Sequence, residues 1–355
     1  MSVAYAPDWF HRRYSYAAVL AMAGIGLAFP AAAGGLLGPP LAVGMVLLGV
    51  AHGACDQFVV PASRPRGIAT SGWRYWRQFL LGYLGLAAAV GALWWCWPAA
   101  TVAGFFLLTV WHWGSADAPA NERATTGWWL THSLLRGLLV FAVPAWWWPT
   151  ETVGVVNGLL TFVGAATVPV AAFKAVATGL GLAVVGGHLC LWGRWYAGRD
   201  QRASLQTELV EVLILVALFM ALPPRLSVAV YFVFWHSLQH ILRLNGWLGY
   251  GSATRNSVAV DLLPQLLFFL RRAAPLLVVS CLALLVLVRL LAPRLPNETA
   301  WFSLALVVAS IVTLPHALLV TAVMDAPRWQ GLKLGQRPEA TPPVQHSKQN
   351  AQAGI

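Results

Sequence analysis

The feature that most constrains this chain is the recurrence of long apolar runs. Crossing the hydrocarbon core of a bilayer as a helix takes about 20 apolar residues. Ten runs approach or exceed that length: 16–37, 41–60, 79–98, 100–117, 128–148, 170–193, 209–222, 226–247, 273–291 and 300–323. One such run would suit a buried core helix. Ten of them in 355 residues leave too little polar sequence to cover a soluble fold. Hydrophobic residues make up 59% of the chain and charged residues 10%, against about a half and a quarter in soluble domains. A lipid-embedded chain must satisfy every backbone group internally. The expected fold is therefore all-α, a polytopic membrane helix bundle of about ten transmembrane helices.

Residues 1–325 read as one transmembrane domain, and 326–355, rich in Pro, Gln and Lys, as a disordered tail. The Gly-rich stretch 151–169 reads as an interfacial or re-entrant piece, because counting it as a span spoils the charge pattern. Residues 262–270 read as an amphipathic approach to the ninth span. The first run follows Arg12 and Arg13 without a cleavage pattern and reads as a retained helix.

The net charge is +11. In a soluble protein this would suggest nucleic acid, but here the basic residues sit between apolar runs, so no nucleic-acid partner is expected. With ten spans, Arg12 and Arg13, Arg64 to Arg77, Arg194, Arg199 and Arg202, Arg255, and Arg328, Lys333 and Arg337 all fall on one side. The positive-inside rule makes that side cytoplasmic, with both termini there. Arg225 and Arg294 are exceptions. Cys55, Cys96, Cys190 and Cys281 lie far apart and form no CxxC pair, so neither a disulfide frame nor a zinc ribbon is indicated.

Seven of the nine histidines fall inside apolar runs: His52, His112, His132, His188, His236, His240 and His316. Ionisable groups in a bilayer are costly and usually functional. At about 1.5 Å per residue, all but His236 lie in one layer roughly 6–12 Å inside the cytoplasmic boundary, with His236 deeper. A shared polar site requires a shared depth. His236 and His240 are at i and i+4, so their rings leave one helix face and suit adjacent positions on one metal. His52 and His112 are each followed by a glycine and then by an acid, Asp56 and Asp117. Glycine permits close helix approach, and a carboxylate can fix the tautomer of a ligating imidazole. A lone intramembrane histidine often just bonds a backbone carbonyl. His132, His188 and His316 read as such packing groups or as hydrogen-bonders behind the ligands. Trp94, Trp95 and Trp146 to Trp148 fit an interfacial belt. Trp111, Trp113 and Trp235 flank the site histidines and either pack there or line a substrate channel.

The pieces Ala51-His52-Gly53-Ala54-Cys55-Asp56, His112-Trp113-Gly114-Ser115-Ala116-Asp117, Trp235-His236-Ser237-Leu238-Gln239-His240 and Thr313-Leu314-Pro315-His316 resemble, in order, four motifs of one family. These motifs are Pro-His-Gly-Ala-x-Asp, His-Phe-Gly-x-x-Asp, His-Ser-x-x-His and a late Pro-His of the Brp/Blh family of bacterial integral-membrane carotene dioxygenases. The resemblance runs from Gly49 to Asp325. It departs at Ala51, Gln57 and Gln239, none of which replaces a histidine ligand.

The resemblance implies cleavage of the central double bond of beta-carotene with O2 to give two retinal molecules. It implies Fe(2+) held by His52, His112, His236 and His240, with Asp56 and Asp117 orienting rings or holding water. Imidazole suits iron among other metals, and four ligands of six leave two positions for oxygen or water. The substrate would be a carotenoid dissolved in the bacterial inner membrane, and a retinal-binding rhodopsin would accept the product. Competing classes are a di-iron lipid oxygenase, a haem carrier, and a histidine-lined metal or proton transporter. The first needs several HxxxH boxes where one occurs, the second a further intrahelical pair, and the third histidines at many depths.

Overall fold

The computed structural model describes residues 8–63, 72–118, 126–198, 202–250 and 262–325. Arg64, Arg66, Arg199, Arg255, Arg328, Lys333, Arg337, His346 and the proposed tail 326–355 lie outside the described residues. Helix starts follow residues that cannot or need not continue a preceding helix. Pro98, Pro149 and Pro224 each open a helix, where the missing N–H costs nothing. Asn297 caps the last one by accepting a hydrogen bond from the Ala300 amide at 3.0 Å.

Twelve helices and no strand occur among the described residues. They are α1 (Asp8–Ala28), α2 (Ala33–Gly53), α3 (Asp56–Ser63), α4 (Trp73–Cys96), α5 (Pro98–Asp117) and α6 (Thr126–Trp147), followed by α7 (Pro149–Phe162), α8 (Val170–Ala197), α9 (Arg202–Ala221), α10 (224–247), α11 (Leu262–Leu291) and α12 (Glu298–Met324).

Each of the ten apolar runs contains a helix, with differences of division. The run 16–37 breaks around Pro30, so its last residues belong to α2. The stretch 151–169 starts as a regular helix, α7. Its exit is tied down by Asn157, whose amide donates to the Val168 carbonyl at 2.9 Å and whose oxygen accepts from the Val168 amide at 2.8 Å. Residues 262–270 do not form a separate approach: they run into α11 as one 30-residue helix through Pro275.

Six helices are long and apolar enough to cross a membrane: α2, α4, α8, the Ser204–Ala221 part of α9, α11 and α12. The other four expected spans, in α1, α5, α6 and α10, fall below that measure. They carry Arg12, Asp117, Arg136 and Arg243 among their apolar residues. Those groups point into protein rather than toward the surface, so mean hydropathy understates how well such helices fit an apolar surrounding. By contrast, the most apolar stretch of α11 has none of its residues buried. Leu282, Leu285, Val286 and Leu290 are all exposed there. A face of that kind calls for a non-aqueous surrounding.

The bundle is arranged around α10, which packs against α1, α2, α5 and α11. α4 and α7 pack on α12. α5 and α6 form the most intimate pair. A Cβ on Gly114 would run into the Ser133 carbonyl, and one on Gly137 into the Val110 carbonyl. These two glycines let the backbones touch and set the position of His112, half a turn before Gly114.

Candidate functional site

Five imidazoles from four helices meet inside the bundle. His52 is near the end of α2, just after a π-helical segment at Met45–Val50. His112 lies in the last turns of α5. His236 sits in a second π-helical segment, Tyr231–Ser237, and His240 follows it on α10. His316 follows Pro315 on α12, shortly before a third at Val320–Met324. π-turns recur at functional sites because the extra residue re-aims side chains. Here they flank or contain four of the five histidines, all but His112.

All five rings are buried. The centroid of His52 is 5.9 Å from His236, 5.5 Å from His240 and 4.8 Å from His316. His112 is 5.1 Å from His236 and 5.0 Å from His316. His240 is 5.4 Å from His316 and 6.4 Å from His236. With a metal–nitrogen bond of about 2.1 Å, two imidazole centroids on one ion would be roughly 4.6 Å apart at right angles and 6.5 Å apart when opposite. Every measured spacing lies in that window. The i, i+4 pair is nearly parallel, at 16°, and its spacing is closer to the opposite than to the adjacent arrangement. Among the described residues no three His, Cys, Asp or Glu side chains are already drawn in tightly enough to hold a metal ion.

The ring nitrogens support that fit. His52 Nδ1, both nitrogens of His112 and His236, and Nε2 of His240 and His316 are buried without a hydrogen-bond partner. Buried polar atoms are normally satisfied. Five adjacent rings each with a bare nitrogen suit a shared cation. Aromatic rings wall the cluster. Trp113 lies 5.6 Å from His236 and 5.7 Å from both Phe232 and Phe141, and Phe232 lies 5.7 Å from His52.

The acids take places other than those the motif suggested. Asp56 does not pair with its neighbour His52. Both its oxygens lie 2.9 Å from His316 Nδ1, and its Oδ2 accepts from the Tyr83 hydroxyl at 3.1 Å. Asp117 Oδ2 accepts from Tyr231 at 2.9 Å and from Trp235 Nε1 at 3.0 Å. It thereby holds the π-helical segment that bears His236. Trp235 stacks on Tyr16 at 5.5 Å, and Trp111 packs on Trp129 at 5.4 Å. Trp113 stands directly against the imidazole of His236.

His132 and His188 belong to a separate buried group. His132 Nε2 is 2.9 Å and His188 Nε2 3.9 Å from Glu208 Oε1, while His188 Nδ1 is 2.8 Å from the Val184 carbonyl. Arg136 joins this group to Glu211, which also accepts from Arg12 and Tyr16. Sequence reasoning passed over Arg136, Glu208 and Glu211. The signal was there, because Arg136 and Glu211 interrupt apolar runs. It also passed over Tyr83, and over Arg243, which lies one turn after His240 and donates to the Ala116 carbonyl at 2.7 Å. The four cysteines are free.

The sequence model of the beta-carotene 15,15'-dioxygenase family matches residues 43–325, a segment that holds all five rings. A relative from Halobacterium salinarum, named probable beta-carotene 15,15'-dioxygenase Blh, is 28% identical over 314 residues. That alignment covers 83% of this chain and 88% of the relative. No solved structure matches.

Proposed function

The chain belongs to the beta-carotene 15,15'-dioxygenase family, and from that footing we propose that it is a membrane-embedded non-haem iron dioxygenase. It cleaves the central double bond of beta-carotene with O2 and releases two molecules of retinal. The observation that carries this reading is the set of buried imidazoles with bare nitrogens inside the matched segment. His52, His112, His236 and His240 hold Fe(II), a metal that imidazole donors suit. When bound, the ferrous ion supplies the capacity to activate dioxygen.

The protein supplies position and dryness. Trp113, Phe141 and Phe232 give the polyene an apolar wall beside the imidazoles. A polyene held there presents one chosen bond to the ligand cluster, which removes much of the entropic part of the barrier. Burial of the whole cluster excludes water from reactive products.

The substrate is dissolved in the bilayer, so the protein admits it sideways between helices. We place all ten apolar runs as spans of one domain, 1–325, in the bacterial inner membrane, with both termini cytoplasmic. The tail 326–355 belongs to that side. A retinal-binding rhodopsin would take up the product.

Expression in bacteria that accumulate beta-carotene tests the reading. Loss of orange colour with retinal as the product is expected. Unchanged carotene, or longer apocarotenals in place of retinal, would refute central cleavage. His236→Ala should abolish both retinal formation and iron retention.

A further inference from the structure

We propose that His316 is a fifth imidazole ligand of the iron centre, positioned by Asp56 and, behind it, by Tyr83. The proposal rests on the reading of His52, His112, His236 and His240 as an iron site.

Geometry puts His316 inside the cluster rather than behind it. Its centroid is 4.8 Å from His52, 5.0 Å from His112 and 5.4 Å from His240. The pair His236 and His240 is wider, at 6.4 Å. A histidine serving only to brace a ligand would touch one ring and turn a nitrogen toward it. His316 instead meets three rings edge-on, at 72° to 86°.

Its two nitrogens are also differentiated. Nδ1 faces the Asp56 carboxylate at 2.9 Å, and Nε2 is buried without a partner. A carboxylate that accepts from Nδ1–H fixes the tautomer with Nε2 bare and raises its basicity, which is how metal-ligating histidines are commonly held. Tyr83 donates to Asp56 at 3.1 Å and so fixes the carboxylate in turn. Among the described residues no other ring of the five has a carboxylate partner within 4.0 Å. Five imidazoles on a six-coordinate ion leave one exchangeable position.

The test uses the full chain purified in detergent, stripped with a chelator and titrated anaerobically with Fe(II) against a competing chelator. X-ray absorption counts imidazoles in the ferrous protein. Five are expected in the wild type and four in His316→Ala, with Fe(II) affinity at least about tenfold weaker. Asp56→Asn should keep five imidazoles while losing about 10- to 100-fold in affinity, as for other outer partners of ligating histidines. Four imidazoles in the wild type, or unchanged affinity in His316→Ala, would overturn the fifth ligand. His236→Ala separates the two ideas: if it binds Fe(II) like the wild type, the four-histidine reading itself fails. If His316→Ala does not fold, the wild-type count and the Asp56→Asn titration decide alone.

Discussion

Arg136 donates from Nη2 to Glu211 Oε2 at 2.6 Å, with both side chains almost wholly sealed from solvent. The pair ties α6 to α9 and, through Arg12 and Tyr16 on Glu211, both to α1. Glu208 lies 3.7 Å from the same guanidinium. Removing one partner of a buried ion pair leaves a stranded charge and typically costs about 3–5 kcal/mol. Arg136→Ala should therefore lower the melting temperature of the detergent-solubilised protein sharply, or prevent its accumulation in membranes. Arg136→Met combined with Glu211→Gln removes both charges and should regain part of that loss. A single variant as stable as the wild type would mean that the network is not holding these helices together.

The two histidine groups make separable predictions. His132 is held at 2.9 Å from Glu208 and packs at 5.3 Å on Trp195, whereas His112 lies among the imidazoles. His112→Ala should release iron with little change in the polar network around Glu208. His132→Ala should keep wild-type iron content and instead lose stability, because the buried Glu208 carboxylate loses the imidazole 2.9 Å from it. Metal analysis beside a melting curve for each variant checks this. Iron loss in His132→Ala would place it among the ligands after all.

The helical class and the histidines were legible in the sequence because both follow from local pattern. Apolar run length gives helices, and depth along each run gives a layer. Depth says nothing of direction around the bundle, so His132 and His188 read as packing groups or as neighbours of the ligand layer, whereas they form a separate group at Glu208. Lateral position depends on which helix faces which, and that was set by contacts such as Gly114 against Gly137. The pairing of Asp56 with His316, 260 residues away, was hidden for the same reason. The four motifs contain the five rings that the fold gathers, but only packing shows which ring each acid meets. Six helices pass the apolarity measure, and the four expected spans that fall below it carry Arg12, Asp117, Arg136 and Arg243.

The contact of α5 with α6 leaves no room for a side chain. At Gly114 an added methyl would meet backbone atoms of Ser133 and Gly137, which cannot swing aside. Overpacking of this kind typically costs about 1–3 kcal/mol. Because His112 is two residues away, separating the helices also pulls its ring from His236 and His316. Gly114→Ala should lower iron occupancy as well as stability. Gly104→Ala, with open space around it on the same helix, should change neither. The pair of variants separates backbone crowding from a general intolerance of alanine on α5.

The wall of the site is best tested at Trp113, whose indole stacks on Phe141 at 10° and reaches His236 and Tyr231 as well. It carries no metal-binding atom, so Trp113→Leu should retain iron. What it removes is the surface against which a polyene is held. A shift of about 1 Å in a reacting bond can cost on the order of 100-fold in rate. Trp113→Leu is therefore expected to slow retinal formation by one to two orders of magnitude and to yield some longer apocarotenals, as the chain slides past the imidazoles. Chromatography of the products, beside an iron count on the same preparation, separates the outcomes. Wild-type rate and product pattern would show that the substrate lies elsewhere. Loss of iron along with activity would show that the indole supports the ligands instead of the polyene.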